Sequence, residues 1–349
     1  MKIIKAGYQF INEPNVTKKI ERIARVCYKS EDKIGEDTDI KMIMNLFKRQ
    51  HYAMLEHGDV CMEVSESVYS LANEAINIIE HNLIELNDVC HAPKKIYLRR
   101  TVAPINNGSR YVISGNIRAW YEFFLEAAAI GALVTDMYSI VNEQLNYLLD
   151  NTSLAKIRIG IDFDIWNDFN QSTMYCKLIK DMSILTPVER MVHETFTVLF
   201  VSDLLVQREL VRHRKASFAG ESTRYCNYSL DKFDNQITVL KPCFLNEDTE
   251  VYNEWKLGCE EAEKSYFILL NEGCTPQEAR DVLPVATKCD TVVTTNLTEW
   301  RHIFNLRACD ATGPAHPKMK EIMIPCMKEV RELYPFAFGD LIAADEVHN

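Results

Sequence analysis

The sequence has 349 residues, of which 47% are hydrophobic and 26% charged, a composition typical of a globular protein and not of a disordered chain. Asp and Glu outnumber Lys and Arg by 50 to 39, and the resulting net charge of −11 disfavours a free-standing nucleic-acid-binding protein. No apolar run approaches the roughly 18 residues that a membrane span needs, so we expect no membrane partner.

The numbers and spacing of cysteine and glycine narrow the possible classes of protein further. The 11 cysteines are scattered singly without a C-x-x-C pair, so neither a zinc knuckle nor a disulfide framework is indicated. Reduced thiols, and the lack of a signal-peptide apolar region in residues 1–10, predict a cytoplasmic protein. The 12 glycines form neither G-x-G-x-x-G nor a Walker A pattern, which excludes both glycine-rich nucleotide cradles as motifs.

The first half of the chain predicts short strands between amphipathic helices. Residues 2–10 predict a strand, and two stretches with helical spacing follow. Val60, Met62 and Val64 alternate with Cys61 and Glu63, which predicts a half-buried strand before a long amphipathic helix. The other segments of this half are a hairpin over 95–114 turning at Asn106-Asn107-Gly108, a helical stretch over 117–149, and an alternating run at 157–161.

The second half gives sharper signals and ends in helices. Residues 196–201 predict a strand, and Ser202 is a candidate N-cap for a helix reaching about His213. Strands and helices mix without a regular βαβ repeat, which predicts an α+β fold and not a doubly wound sheet. The remaining predicted elements are a helix over 254–272 ending at Gly273, a capping box at Thr275-Pro276-Gln277-Glu278, a strand over 290–295, a helix with Trp300 and Phe304 on one face, and a final helix over 316–334 kinked at Pro325.

Residues 209–225 are the most informative segment, because cations cluster there in an acidic protein. Arg212, Arg214, Lys215 and Arg224 lie around His213 and a loop of small residues. Arginine suits bidentate binding of phosphate and planar rings, and small residues let backbone N–H groups approach a ligand. The segment therefore predicts an anion site. The alternative is a solvated helix end whose cations face the helix dipole.

These residues also carry a family resemblance. Arg212-His213-Arg214, seven residues, and then Ser222-Thr223-Arg224 resembles the signature of flavin-dependent thymidylate synthases. Further segments resemble other elements of that family: Leu55-Glu56-His57 with the upstream His51, Ala279-Arg280-Asp281-Val282-Leu283-Pro284, and Thr295 through Arg307. The resemblance covers roughly residues 1–65 and 190–340.

The resemblance implies an α+β fold with a mostly antiparallel sheet flanked by helices. It implies a single catalytic domain over 1–349, with a core of about 1–65 and 190–340. The remaining segment, about 66–190, is then a mixed α/β insertion.

The implied activity is the reductive methylation of dUMP to dTMP. In the resembling family, 5,10-methylenetetrahydrofolate donates the carbon, and NADPH reduces a bound FAD that supplies the hydride, without a protein nucleophile. The enzyme is a homotetramer with sites shared between subunits. Accordingly, Ser222 is expected to be a ligand hydrogen-bonding group and Cys226 a buried small residue.

The resemblance also assigns residues. Arg307 matches the catalytic position, thought to stabilise uracil ionised at N3. The implied flavin-binding residues are Arg212, His213, Arg214, Asn296, His302 and His51. The implied dUMP-binding residues are Glu209, Glu221, Ser222, Thr223, Arg224, Arg280 and Arg307. No metal is expected, because His51, His57 and His193 do not have the spacing of a compact metal motif.

Three positions depart from the family pattern. Ala219 and Gly220 stand where the family often has Asn or Ser and then Glu or Gln, and Thr298 stands where Arg is common. These departures keep a non-catalytic flavin- or nucleotide-binding homologue open as an alternative. A nucleic-acid-binding protein using the Arg212–Arg224 patch is a further alternative, which the net charge disfavours.

A short internal echo connects the two halves. Residues 115–120 resemble residues 295–300, and His57 and His193 each precede a strand. Chance is one explanation. The other is that Arg118 stands near a ligand and offsets the missing arginine at Thr298.

Overall fold

The computed structural model describes residues 1–81, 84–86, 89–91, 94–129, 135–152, 154 and 174–347, with the backbone alone at 84–86 and 89–91. The predicted alternation at 157–161 lies outside these residues. The strands are β1 (Lys2–Ile4), β2 (Gly7–Phe10), β3 (Asp59–Val64), β4 (Ile84–Leu86), β5 (Val89–His91), β6 (Arg99–Ile105), β7 (Gly108–Asn116), β8 (Cys176–Leu178), β9 (Thr195–Asp203), β10 (Ser217–Gly220), β11 (Thr238–Leu240) and β12 (Lys288–Asn296).

Helices alternate with these strands along the chain. They are α1 (Val16–Val26), α2 (Thr38–Lys48), α3 (Glu66–His81), α4 (Ile117–Ala129), α5 (Thr135–Gln144), α6 (Pro187–His193), α7 (Leu204–Leu210), α8 (Glu250–Asn271), α9 (Pro276–Ala279), α10 (Leu297–Arg307), α11 (Pro317–Leu333) and α12 (Pro335–Phe338). Short 3-10 helices cover Glu31–Lys33, Tyr52–His57, Leu148–Asn151, Met182–Ile184, Asp231–Phe233 and Arg280–Val282. None of the described helices is both long enough and apolar enough to cross a bilayer.

The chain forms two compact units. Unit 1 comprises Met1–Asn12, Arg22–Lys33 and Phe196–Asn349, and unit 2 comprises Glu13–Glu21 and Ile34–Thr195. The sequence predicted a single domain whose core includes residues 34–65. The structure places that segment in unit 2, together with the predicted insertion, because β3 pairs with β7 and β8. The single catalytic domain stays a prediction.

Unit 1 is built on a four-stranded sheet of order β10-β12-β9-β2. Strand β2 pairs antiparallel with β9, and β10 pairs antiparallel with β12, while β1 and β11 form a separate parallel pair. Helix α10 packs Trp300 into the core, where its ring stacks on Phe196 at 4.7 Å between centroids and its Nε1 donates to the Phe196 carbonyl. The helix that carries predicted site residues is thereby fixed to the central strand.

Unit 2 has a second four-stranded sheet, of order β6-β7-β3-β8, with all its pairings antiparallel. The hairpin of β6 and β7 turns at 106–107, as the sequence predicted. Helices α3 and α4 bury apolar faces in its core, which contains Trp120, Phe123 and Phe124. Helices and antiparallel sheets together confirm the α+β class.

One predicted boundary differs from the structure. Strand β9 continues through Ser202, whose hydroxyl donates to the Cys289 carbonyl, so this residue is not the helix cap. Asp203 caps α7 instead by accepting from the Val206 N–H at 3.0 Å, and its other oxygen pairs with Lys318 at 2.6 Å. Within the helical stretch predicted over 117–149, the described residues form α4 and α5, and the 3-10 helix Leu148–Asn151 begins at its end.

Candidate functional site

The end of α7 in unit 1 presents the arginine cluster. After Leu210 the chain turns tightly, with the His213 N–H donating to the Leu210 carbonyl at 3.1 Å and the Ala216 N–H to the His213 carbonyl at 3.1 Å. Arg212 and Arg214 are exposed on either side of a buried His213. A helix end that stops at this point therefore offers two guanidinium groups to solvent and one imidazole to the protein interior.

Arg307, at the end of α10, contacts this turn directly. Its Nη1 lies 3.1 Å from the Glu209 carboxylate, its Nη2 donates to the Glu209 carbonyl at 3.4 Å, and its Nε donates to His213 Nε2 at 3.2 Å. The contacts hold the guanidinium in a fixed orientation. They also join α7 to α10, although the two helices are far apart in sequence.

His213 is neutral in this arrangement. Burial, the Arg307 guanidinium and His302 lower its pKa to about 4. Since a neutral imidazole has one acceptor nitrogen, the bond from Arg307 to Nε2 leaves the proton on Nδ1. The imidazole therefore offers a single N–H donor at the atom that does not face Arg307.

The start of α10 supplies the next group. Asn296 caps the helix, its Oδ1 accepting from the Glu299 N–H at 2.9 Å. His302 is exposed one to two turns later, and its ring meets His213 edge-on at 5.8 Å between centroids. Burial raises the pKa of the Glu299 carboxyl above its ordinary value. Four predicted residues, Glu209, His213, His302 and Arg307, thus lie in one connected group with Asn296 on the same helix.

One cluster in the described part of the chain has the donor spacing of a metal site. Ligand atoms of His213, Glu299 and His302 lie within 4.8 Å of one another. However, Arg307 donates to His213 Nε2, and a fixed guanidinium repels a cation at short range. We interpret the cluster as a polar ligand-facing surface.

A second group forms around the loop after β10. The Ser222 N–H donates to the Cys27 carbonyl at 3.0 Å, and the Ser222 carbonyl accepts from the N–H groups of Tyr225 and Cys226. Thr223, the next residue, is half-buried. Arg280 Nη1 reaches Thr223 Oγ1 at 3.4 Å, and Arg224 is exposed. Ser222, Thr223, Arg224 and Arg280 are therefore neighbours, although Arg280 comes from a different part of the chain.

Arg224 is held by two contacts at the edge of this loop. Its Nε donates to Gln277 Oε1 at 2.9 Å, and its guanidinium carbon lies 5.3 Å from the centre of the Tyr225 ring. Stacking and one hydrogen bond orient the planar group while its other N–H groups remain to bind an anion.

Glu221 differs from its neighbours because its carboxylate faces the interior. It is only 5% exposed, and Lys288 Nζ lies 2.9 Å from its Oε2. Lys288 also pairs with Asp290 at 2.7 Å, and Lys29 contacts both acids. Burial lowers the pKa of the Lys29 ammonium, but the charges of Glu221 and Asp290 raise it by more. The net pKa lies above the ordinary value, so the ammonium stays charged. A role for Glu221 at dUMP stays a prediction.

Sequence reasoning missed Lys29, Lys288 and Asp290. The four-charge cluster connects Glu221 to a segment near residue 29 and to strand β12. No local pattern marks these residues, because the pairing depends on contacts between segments distant in sequence.

Two of the three departures from the family pattern, Ala219 and Gly220, lie in strand β10. Ala219 is buried, and a Cβ placed on Gly220 would lie 2.0 Å from Nε2 of Gln207. The Gln207 amide thus occupies the space beside Gly220. An α7 side chain stands where a β10 side chain would otherwise project.

Two predicted positions belong to unit 2. His51 is exposed and flanks the 3-10 helix Tyr52–His57. Arg118 pairs with Glu56 at 2.7 Å and Glu122 at 3.0 Å. The flavin contact of His51 and the ligand contact of Arg118 stay predictions.

His193 in unit 2 is a fully buried histidine with two hydroxyl partners. Its Nδ1 lies 2.8 Å from Ser114 Oγ and its Nε2 2.8 Å from Thr101 Oγ1. Burial and the charge of Arg99 lower its pKa to about 3. It is therefore a neutral residue that joins strands β6 and β7.

Comparison with known proteins finds a consistent set of relatives. The family model described as thymidylate synthase complementing protein matches residues 162–336. A flavin-dependent thymidylate synthase of Pyrococcus furiosus is 36% identical over 119 residues, covering 34% of this chain and 48% of the relative. One from Corynebacterium aurimucosum is 36% identical over 141 residues, covering 38% of this chain and 55% of the relative. The chain thus spans about half the length of these curated relatives.

Among solved structures, the UMP/dUMP methylase PolB from Streptomyces cacaoi, bound with 5-Br dUMP, is similar at 21% identity. The match covers 42% of this chain and 69% of that chain, with a TM-score of 0.35.

The matched segment contains every predicted site residue of unit 1, from Glu209 to Arg307. The family model therefore matches half of the sequence, including the arginine cluster of this α+β protein. The chain belongs to the thymidylate synthase complementing protein family.

Proposed function

We propose that this protein is a flavin-dependent thymidylate synthase, which methylates dUMP to dTMP. The observation that carries the proposal is the contact of Arg307 with His213 and Glu209 in unit 1. It gathers residues from two distant motifs around one oriented guanidinium. The curated relatives bear the name of this activity.

The nucleotide would bind between two kinds of group. Ser222, Arg224 and Arg280 provide a hydroxyl and two guanidinium groups on neighbouring segments, the donor set that a phosphate needs. Arg307 is the candidate partner of the uracil ring, where a fixed positive charge stabilises negative charge that develops in the reaction. Glu209 holds that charge in place by accepting two hydrogen bonds from it.

The residues also fit a flavin cofactor. The exposed Arg212 and Arg214 offer guanidinium groups to the phosphates of FAD, and the His213 Nδ1–H, Asn296 and His302 offer polar contacts beside them. Bound FAD, reduced by NADPH, would supply the hydride, with 5,10-methylenetetrahydrofolate as the carbon donor. We further propose that the protein assembles as a homotetramer in the cytoplasm.

No protein nucleophile is part of this proposal. Cys226 is fully buried, and burial followed by the nearby Glu221 charge raises the pKa of its thiol to about 12. A protonated, buried thiol is a poor nucleophile at neutral pH. Ser222 holds the loop through its backbone and lacks a described histidine base within hydrogen-bonding distance.

The proposal is tested with labelled dUMP and one pair of variants. We expect the purified protein to be yellow and to release tritium from [5-³H]dUMP only with both NADPH and methylenetetrahydrofolate present. Arg307→Ala should lower the turnover about 100-fold or more, since it removes a fixed charge at the developing anion. Arg301→Ala, on the same helix but paired with Asp340, is the matched control and should retain activity.

The outcomes separate the alternatives. A colourless protein that also fails to bind added FAD contradicts the proposal. A yellow protein that binds dUMP but releases no tritium is a non-catalytic homologue, as Ala219, Gly220 and Thr298 would allow. Sedimentation equilibrium of the same sample measures the assembly.

A further inference from the structure

The two units share one local design around a helix that follows a central strand. In unit 1, Asn296 ends β12 and caps α10, and Trp300 Nε1 donates to the Phe196 carbonyl of β9 at 3.1 Å. In unit 2, Asn116 ends β7 and caps α4 by accepting from the Ala119 N–H at 2.8 Å. Trp120 Nε1 donates to the Val60 carbonyl of β3 at 3.2 Å. The sequence similarity between residues 115–120 and 295–300 is therefore matched by equivalent hydrogen bonds.

Strand pairing matches in the same way. The edge strand β10 places Ser217 opposite Thr294, two residues before the capping asparagine of α10. The edge strand β6 places Arg99 opposite Ser114, two residues before the capping asparagine of α4. Sheet orders β10-β12-β9-β2 and β6-β7-β3-β8 then correspond strand by strand.

The opposite edges of the two sheets correspond in register. In unit 1, Phe10 of β2 pairs with Val198 of β9, and the Ile11 N–H donates to the Thr197 carbonyl at 3.0 Å. In unit 2, Leu178 of β8 pairs with Met62 of β3, and the Ile179 N–H donates to the Cys61 carbonyl at 2.9 Å. Buried histidines stand equally far ahead of both sets, His193 three residues before Phe196 and His57 three residues before Val60. Chance matches of short motifs do not reproduce caps, registers and buried donors together.

We infer that the chain is a tandem duplication of one fold, and we propose that only its second copy binds ligand. The first copy begins with β2 and includes β3, β6, β7 and α4. The second begins with β8 and includes β9, β10, β12 and α10. The ligand-binding part of this inference rests on the proposed function.

Each copy gives its leading strand to the other sheet. Strand β2 opens the first copy but pairs with β9, and β8 opens the second copy but pairs with β3. The first copy is therefore needed by the second: β2 covers one edge of β9, the strand that leads into α7 and the arginine cluster.

The first copy lacks the cationic site. Counted from the capping asparagines, Arg307 corresponds to the buried Ala127, and His302 corresponds to Glu122. Counted from the histidines, Arg212 corresponds to Ile76, inside α3, which continues to His81 without the turn that exposes the arginines. Arg118 corresponds to Thr298, and its charge is taken by Glu56 and Glu122. At these described positions the first copy therefore lacks the cations that form the proposed anion site of unit 1.

The stoichiometry of binding to the full-length chain tests the proposal. Equilibrium dialysis with FAD and with dUMP should give about one molecule of each per chain. Arg307→Ala combined with Arg280→Ala should remove dUMP binding entirely, while Ala127→Ser in the first copy should leave both stoichiometries unchanged. Two molecules per chain, with one retained in the double variant, would contradict the proposal that the first copy binds no ligand. That result would leave the proposed function intact. No binding at all by the unmodified chain contradicts the proposed function instead.

Hydrogen exchange tests the strand arrangement independently of any ligand. Gln9→Pro removes one N–H of β2, and Lys177→Pro removes one N–H of β8, at exposed positions of equivalent strands. We expect about tenfold or faster amide exchange in β9 for the first variant and in β3 for the second. The reverse pattern would contradict the exchange of leading strands. If either proline variant fails to fold, the binding stoichiometry of the unmodified protein still tests whether one copy or two copies bind ligand.

Discussion

At the scale of single residues, the candidate site contains arginines whose orientation is set by neighbouring side chains. Arg307 is fixed by Glu209 and His213, and Arg224 by Gln277 and the Tyr225 ring. Each guanidinium therefore has lost rotational freedom before a ligand arrives, which lowers the entropic cost of binding. Although the chain is acidic overall, these arginines place positive charge where a small anionic ligand could bind.

Arg280 gives a prediction at this scale. Arg280→Ala removes an exposed guanidinium. Within the described residues, its one hydrogen bond is to Thr223. We expect dUMP affinity to fall about 10-fold to 100-fold, the loss typical of a charge-assisted hydrogen bond, while bound flavin is retained.

Titration of the flavin spectrum with dUMP measures both quantities in one sample. Arg331→Ala, which removes a guanidinium paired with Glu346, is the control for a lost surface arginine. Simultaneous loss of flavin and dUMP binding by the Arg280 variant would contradict the separation of the two groups.

The signature residues themselves could be found from sequence, but their surroundings could not. Arg212, His213, Ser222 and Arg307 belong to motifs that sequence alone identifies. Lys29 and Lys288 do not, since their partner Glu221 is brought to them only by the folded sheet. The same holds for Gln207, whose packing beside Gly220 follows from the closeness of α7 and β10.

At the scale of elements, local signals were accurate where they were strong. The hairpin turn near Asn106, the capping box at Thr275 and the strand before Asn296 all occur where the sequence predicted them. The predicted N-cap at Ser202 was wrong by one residue. Asp203 caps the helix instead, and its carboxylate is held in place by a buried ion pair with Lys318. Such a distant partner leaves no trace in a local pattern.

The two capping asparagines give a prediction at the element scale. Asn116→Ala and Asn296→Ala should each lower the free energy of unfolding by about 1 kcal/mol, because each removes the acceptor of one helix N–H. Asn→Asp at either position keeps that acceptor and should retain most of the stability. Urea unfolding of all four variants measures the effect, and a neutral effect of both alanine variants would contradict equivalent caps.

At the scale of the whole molecule, buried neutral histidines make the fold sensitive to acid. The pKa of His193 is about 3 and that of His213 about 4, both below the ordinary 6.5 of an unfolded chain. The unfolded state therefore binds protons first as the pH falls. The stability that these residues provide is complete above pH 6.5 and is lost progressively towards their folded pKa values.

This sign leads to a prediction for unfolding at two pH values. The urea midpoint should be lower at pH 5 than at pH 7, and His193→Gln should reduce that difference, because glutamine does not titrate. His81→Gln, at an exposed position on α3, is the control and should leave the difference unchanged. An equal pH dependence for His193→Gln and the unmodified protein would show that this histidine is not charged on unfolding.

The pairing of β2 with β9 has a consequence for biosynthesis. Strand β2 ends at Phe10, but its partner runs from Thr195 to Asp203. At a synthesis rate of about 5–20 residues per second, the nascent strand waits roughly 10–40 s for its partner to leave the ribosome. During that interval an early strand edge is open to wrong partners, and the sheet that bears the arginine cluster closes only late in translation. Slow codons and chaperones near the middle of the message would therefore influence the yield of folded protein more than those near its end.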